Sequence, residues 1–294
     1  MAPTTAPPQA SPPEQTAMSE MPVSLPKRLS PSGASTFDQC PRRWRFRYIE
    51  NRPEPSGEAA LVGSFVHRVL ELLLAEEPEG RTIDRAKQLA RDTWPETAAR
   101  DDFSELELDP QAERAFRWKG WSAIEGLWTL EDPAAIQVHS TEQRVEVQLD
   151  GVPFVGIIDR VEQDTDGLVV TDYKSGRPPR PRFRADKLHQ VLLYAAALRE
   201  MDRTPTRARL LYLGSSVIET PATDDAVDEA VGQLRGTWDR LVDSCEHDTF
   251  TPQTGPLCGW CPHLLDCPEG RSEVEQRIAA GRIREDAPAV ALVA

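Results

Sequence analysis

Between Glu142 and Lys174 the chain alternates β-forming residues around two tight-turn signals, and this stretch limits the fold more than any other. Asp150-Gly151 is a pair favoured in two-residue hairpin turns, and the runs 142–149 and 152–162 on either side are rich in β-formers. A second turn over 164–167 leads into Leu168–Lys174, so the segment reads as a three-stranded meander. Its register can be counted. With the turns centred between 150 and 151 and between 165 and 166, Glu142 falls opposite Asp159 and Asp159 opposite Asp172, unless a bulge shifts the pairing by one. Lys174, two residues beyond Asp172, shares its face.

One patch therefore holds three carboxylates and a lysine. Acids this close, in strands otherwise made of Val, Ile and Leu, repel one another and are costly to desolvate unless a cation sits between them. Hard oxygen donors favour Mg²⁺ or Mn²⁺. Any one of these acids alone is an ordinary strand-end residue; the alignment of all three beside a lysine points to a metal centre. Beyond the meander, 186–201 reads as a helix with Leu188, Val191, Leu192, Ala195 and Leu198 as its buried stripe. Gln190 and Tyr194 lie one turn apart on the border of that stripe, placed either to anchor the helix or to reach the acids.

Gly156-Ile157-Ile158-Asp159, then Asp172-Tyr173-Lys174 after a short hairpin, then Gln190-x-x-x-Tyr194 resembles the PD-(D/E)XK nuclease superfamily in its RecB-like branch, which includes the Cas4 exonucleases. Asp-x-Lys alone is a weak signal, and its combination with the Gln-x-x-x-Tyr helix is fairly specific. The opening Leu29-Ser30-Pro31-Ser32 and Cys40-Pro41 also resembles the start of RecB-like domains, so the likeness runs from 29 to 268. It implies an α/β fold: a restriction-endonuclease-like core with a mixed central sheet flanked by helices, a helical elaboration and an iron–sulfur-stapled C-terminus. It further implies hydrolysis of DNA by a divalent-metal-dependent exonuclease. In that reading Asp159, Asp172, His67 and the Tyr173 carbonyl hold the ion, and Glu142 serves a second ion or a water. Lys174 orients the attacking water or stabilises developing charge, Gln190 approaches the centre and Tyr194 contacts substrate.

His67 lies on an amphipathic helix over 61–77, one turn after Gly63. A lone histidine on such a helix is ordinarily structural. The resemblance makes it a metal ligand, with Gly63 permitting close packing.

Cys258-x-x-Cys261-x5-Cys267 forms a second constellation, with Cys40 standing alone more than 200 residues earlier and Cys245 outside the pattern. No export signal is present, so a metal is expected rather than disulfides. Cys258, Cys261, His263 and Cys267 would suit zinc. Alternatively Cys40 is the fourth ligand of an iron–sulfur cluster. The resemblance favours the second, a [4Fe–4S] cluster on Cys40, Cys258, Cys261 and Cys267.

The net charge of −14 argues against wholesale electrostatic wrapping of nucleic acid. Local positive groups remain. Arg42, Arg43 and Arg45 alternate with aromatics, read equally as nucleic-acid contacts or as the solvated face of a helix with an aromatic core. Arg177, Arg180 and Arg182 on a Pro-rich loop after the acid patch read as substrate contacts. The expected domain plan is a disordered Pro/Ala-rich tail over 1–28, a nuclease domain over 29–270, and a C-terminal helix and tail over 271–294. Within the nuclease domain, 81–135 is a helical elaboration and 258–268 the cluster segment. The elaboration could form one wall of a strand-sized passage, whereas each of its tryptophans, taken alone, reads as plain packing. No stretch is apolar enough to span a membrane, and the expected compartment is the cytoplasm. No Gly-x4-Gly-Lys-[Ser/Thr] loop occurs, so the expected partners are single-stranded DNA and either a separate helicase or CRISPR adaptation proteins. A non-catalytic iron–sulfur DNA-binding scaffold is the reading from another class.

Overall fold

The computed structural model describes residues 21–293. Six helices precede the sheet: α1 (Pro31–Gln39), α2 (Pro41–Tyr48), α3 (Glu58–Leu74), α4 (Ile83–Ala98), α5 (Asp101–Ser104) and α6 (Pro110–Glu125). Their starts follow from local chemistry. The Ser30 hydroxyl caps α1 by accepting the Gly33 N–H at 3.0 Å, and Asp109 caps α6 through the N–H groups of Gln111 and Ala112, each helix having proline in its first turn. α3 is held by packing: Leu61, Val62, Phe65, Val66, Val69, Leu70, Leu73 and Leu74 are buried along one broad stripe. Each contributes about 1.5–3 kcal/mol relative to exposure.

The meander forms as expected from β1 (Gln137–Leu149), β2 (Val152–Asp164) and β3 (Gly167–Lys174), all antiparallel neighbours. Helix α7 (Arg184–Arg199) then crosses over to β4 (Pro205–Tyr212), which runs parallel to β3, and β5 (Ser216–Pro221) returns antiparallel. The result is one mixed five-stranded sheet in the order β1-β2-β3-β4-β5. α8 (Asp224–Glu246), capped by Thr223, follows, and α9 (Pro268–Ala279) and α10 (Ala289–Val293) complete the described chain.

Side chains from the two faces of the sheet enter separate cores. In β4, Ala208, Leu210 and Tyr212 pack with residues of α1, α7 and α8, whereas the intervening Leu211 packs with α3, α4 and α6. Helices thus cover both faces, as expected.

Two boundaries differ from expectation. Residues 1–20 of the proposed disordered tail lie outside the described residues, but 21–28 do not belong to it. Val23 is buried and its N–H donates to the Cys245 carbonyl at 3.3 Å. Leu29 then bridges β2, giving its N–H to the Pro153 carbonyl at 2.7 Å and accepting from Val155 at 3.1 Å. The physical reason is that β2 is longer than β3, so the start of β2 has backbone groups that β3 does not reach. At the other end α9 begins at Pro268, within the segment assigned to the nuclease domain, and Ala287 and Ala289 are buried where the chain folds back. Among the described residues no helix is long and apolar enough to cross a membrane.

Candidate active site

The counted register is the observed one. Thr141 pairs with Arg160 and Gln143 with Ile158, which puts Glu142 opposite Asp159; the bulge in β1 falls farther along, between Val138 and Ser140. Glu142 itself has left-handed backbone, φ 45°. The β2–β3 ladder ends at Arg160 and Thr171, one step short of Asp159 and Asp172. There the Asp159 carboxylate accepts the Tyr173 N–H at 2.7 Å, replacing a backbone partner.

α3 brings His67 over this strand end. Its Nε2 lies 3.1 Å from the Tyr173 carbonyl, and its Nδ1 lies 3.5 Å from Asp159 Oδ1 and 3.9 Å from Glu142 Oε1. A carbonyl only accepts, so Nε2–H is the donor to it and Nδ1 is the nitrogen that faces the acids. Ligand atoms of His67, Glu142 and Asp159 all lie within 4.8 Å of one another, the one such His/Cys/Asp/Glu group among the described residues. One nitrogen and two carboxylates fit a hard divalent ion. Of the expected ligands, the structure thus gathers His67 and Asp159, adds Glu142, engages the Tyr173 carbonyl with His67 and places Asp172 in the adjoining cluster.

That cluster is built by β3 and α7. Lys174 Nζ is 2.6 Å from Asp172 Oδ2 and donates to Gln190 Oε1 at 3.3 Å. Gln190 Nε2 donates to Asp172 Oδ1 at 3.0 Å and to the Tyr194 hydroxyl at 2.8 Å, so both of its hydrogens are used and its amide is fixed. Tyr194 reaches this position because residue 156 is glycine: a Cβ there would stand 2.5 Å from Tyr194 Cε1. Gly63 has no comparable constraint. A Cβ on it would meet Ser175 Oγ at 3.5 Å, an ordinary contact, so the expectation that α3 needs a glycine there for close packing is corrected.

The electrostatics describe a site short of positive charge. Burial, then the charge of Asp159, pushes the Glu142 carboxyl up to about 7. Burial and Asp159 also raise Asp172, against the opposing Lys174 ammonium. His67 is pulled down by burial, but Asp159, Asp172 and Glu142 outweigh this and raise it to about 9. Each shift relieves crowded negative charge, which a divalent cation would neutralise.

Beneath the site lies a buried charged network that the sequence reading missed. Arg160 is 0% exposed, pairs with Glu131 at 2.6 Å and with Glu162, and donates to the Tyr173 hydroxyl at 2.8 Å. Arg209 of β4 joins the same two glutamates. The visible signal was Arg160 itself, a charge immediately after Asp159 and two residues before Glu162, so that both point to the same face of the strand.

The two expected basic groups are placed differently. On α2 every candidate arginine is engaged internally: Arg42 donates to the Phe250 carbonyl, Arg43 pairs bidentately with Glu54, and Arg45 pairs with Glu50 and Asp248. Arg177, Arg180 and Arg182 are exposed, with no ion pair among the described residues. Cys40, Cys258, Cys261 and Cys267 line one small cavity together with Arg42, Arg43 and Phe46. All are free thiols, and burial raises Cys261 and Cys267. His263 does not line that cavity; it is buried, its Nε2 3.0 Å from Glu54 Oε1 and its ring edge-on to Phe46.

Comparison with known proteins adds four findings. No curated protein matches the chain. A candidate exonuclease from Eubacterium rectale has a similar crystal structure, with TM-score 0.53 at 15% identity over 81% of this chain and 88% of that one, a likeness of fold. The crystal structure of SSO0001 aligns over 84% of this chain and 88% of its own at 14% identity, with TM-score 0.39. A family model described as the PD-(D/E)XK nuclease superfamily matches residues 28–268. That span takes in every strand and all of α1 to α8, and on it the chain belongs to the PD-(D/E)XK nuclease superfamily.

Proposed function

We propose that the protein is a divalent-metal-dependent deoxyribonuclease of the RecB-like branch that removes nucleotides from single-stranded DNA ends during cytoplasmic DNA repair or recombination. The observation that carries this reading is the convergence of His67, Glu142 and Asp159 beside the Lys174–Asp172–Gln190 cluster. His67, Glu142 and Asp159, bordered by Asp172 and the Tyr173 carbonyl, are the residues that would hold Mg²⁺ or Mn²⁺. Such an ion lowers the pKa of a bound water and offsets charge developing on a phosphoryl group. Lys174 places its ammonium where it can orient that water or stabilise the same charge. Asp172 and Gln190 position Lys174, and the buried Tyr194 fixes Gln190 through its hydroxyl. The exposed Arg177, Arg180 and Arg182 supply phosphate contacts on the loop leaving β3.

For the four cysteines the proposal is a [4Fe–4S] cluster. The four thiols converge on one cavity, which supports a single shared metal group. The adjoining Arg42 and Arg43 suit its negative charge, and the pairing of His263 with Glu54 argues for Cys40 as fourth ligand. The group's role would be structural.

The test is degradation of end-labelled single- and double-stranded DNA by anaerobically purified protein with Mg²⁺ or Mn²⁺. Asp172→Ala and Lys174→Ala are each expected to lower cutting by about 10²–10³-fold, with Mn²⁺ binding by Lys174→Ala retained in calorimetry. Wild type that binds DNA but cuts it with neither metal would return the protein to the scaffold reading.

A further inference from the structure

A groove of about 400 Å³ lies on the helical elaboration, away from the acids. α6 contributes Arg114, Arg117, Trp118 and Trp121, spaced on one helical face, and α4 contributes Lys87 and Arg91 from its own. Buried Phe65 of α3 forms the floor. Trp118 is 66% exposed, the most exposed large hydrophobic side chain among the described residues, so the expectation that it is plain packing is corrected.

The charges here are unlike those of α2. α2 matches its arginines with acids or a carbonyl, yet Arg91, Arg114 and Arg117 have no carboxylate within 4.0 Å among the described residues. Lys87 has only Asp84, at 3.9 Å. Three guanidinium groups without a carboxylate partner around an exposed indole make a local cationic face on a chain of net charge −14, suited to an anion from outside. The aromatic floor is preorganised: Arg117 lies 4.9 Å from the Trp94 ring centre, and Trp94 packs edge-on against Phe65 and Phe103.

We infer that this groove is a second nucleic-acid station, where a base of a single strand stacks on Trp118 and the flanking phosphates meet Arg91, Arg114 and Arg117. Planar rings beside cations recognise unpaired bases and their backbone together, whereas a paired duplex offers no free base face. Phe65 and His67 are two residues apart on α3 and so point to opposite sides of one helix, a separation of about 10 Å. The inference rests on the nuclease reading for the strand's destination, and its test is independent of cutting.

Binding of fluorescein-labelled oligothymidylate to the full chain is measured by anisotropy in EDTA, which prevents cleavage. Trp118→Ala is expected to weaken binding about tenfold. The double variant Arg114→Gln/Arg117→Gln is expected to weaken it and reduce the salt slope by about 1.4, two phosphate contacts' worth. The altered side chains are exposed, so melting temperatures should match wild type, which makes a binding loss specific. Wild-type binding by both variants overturns the inference. So does equal competition by thymidine monophosphate, which would make this a mononucleotide pocket, or Trp118-dependent binding of polyglutamate in place of the oligonucleotide, which would make it a peptide site. Cutting by wild type with Mn²⁺ is scored in parallel. Trp118-dependent binding without cutting defeats the nuclease reading and spares the groove; cutting with Trp118-independent binding does the reverse.

Discussion

At Arg160 a full positive charge sits beyond the reach of solvent, stable only because Glu131, Glu162 and the Tyr173 hydroxyl surround it. Replacing it by methionine keeps much of the volume and leaves two partly or fully buried acids with Arg209 as their remaining cation. Arg160→Met is therefore expected to cost about 3–5 kcal/mol in denaturant unfolding, and a loss below 1 kcal/mol would show that the network is dispensable. The contrast with the catalytic candidates explains what a reader of sequence can see. Asp159, Asp172 and Lys174 were legible because strand periodicity and two turns relate residues close in sequence, and Gln190 and Tyr194 because one helical turn does. Arg160 meets Glu131 across 29 positions and Glu162 meets Arg209 across 47, pairings that only the assembled sheet creates. The α2 arginines illustrate the same limit in part: Glu50 and Glu54 come from the loop just after the helix, whereas Asp248 arrives from a distant segment.

Among the elements, α7 approaches β2 closely at one point, where Gly156 admits the Tyr194 ring. Gly156→Ala is expected to displace that ring, loosening the Tyr194–Gln190–Asp172 chain. The expected outcome is a loss of about 1–3 kcal/mol from overpacking together with reduced cutting. Gly63→Ala on α3 serves as the matched control: with open space and better helix propensity it should gain up to about 1 kcal/mol. Equal stability and activity of the two variants would refute the packing argument. The meander's register was legible because Asp150-Gly151 fixed it. The bridge from Leu29 to β2 was not, since it answers a backbone deficit that arises only because β2 outruns β3.

Across the whole molecule, the two ends of the described chain are fastened by a clasp. Trp44 stacks on Phe250 with ring centres 6.0 Å apart, Arg52 pairs with Asp266 at 2.8 Å, and Glu54 joins Arg43, Arg47 and His263. Burial alone would raise the Glu54 carboxyl, but the two arginines and His263 hold it below the usual carboxylate range. A group depressed in this way stabilises the fold above its unfolded pKa, about 4.3, and ceases to as pH falls through its folded value. Protection of amides in α2 and 256–267, taken relative to the intrinsic exchange rate at each pH, should therefore fall on acidification below about pH 4, and Glu54→Gln should flatten that dependence. Wild-type protection that is equal above and below this range would count against the clasp. Cys40 belongs to the same clasp, and its position carries a consequence for how the protein is made. More than 200 residues separate it from Cys258, so at about 5–20 residues per second a ribosome needs on the order of 10–40 s to deliver its counterparts. A nascent chain arrested before Cys258 should leave Cys40 open to maleimide, while the released protein shields it; equal labelling of both would contradict this. His67, Glu142, Asp159, Asp172 and Lys174 are all translated within that interval, so the proposed cutting residues are made before Cys258 can complete the clasp.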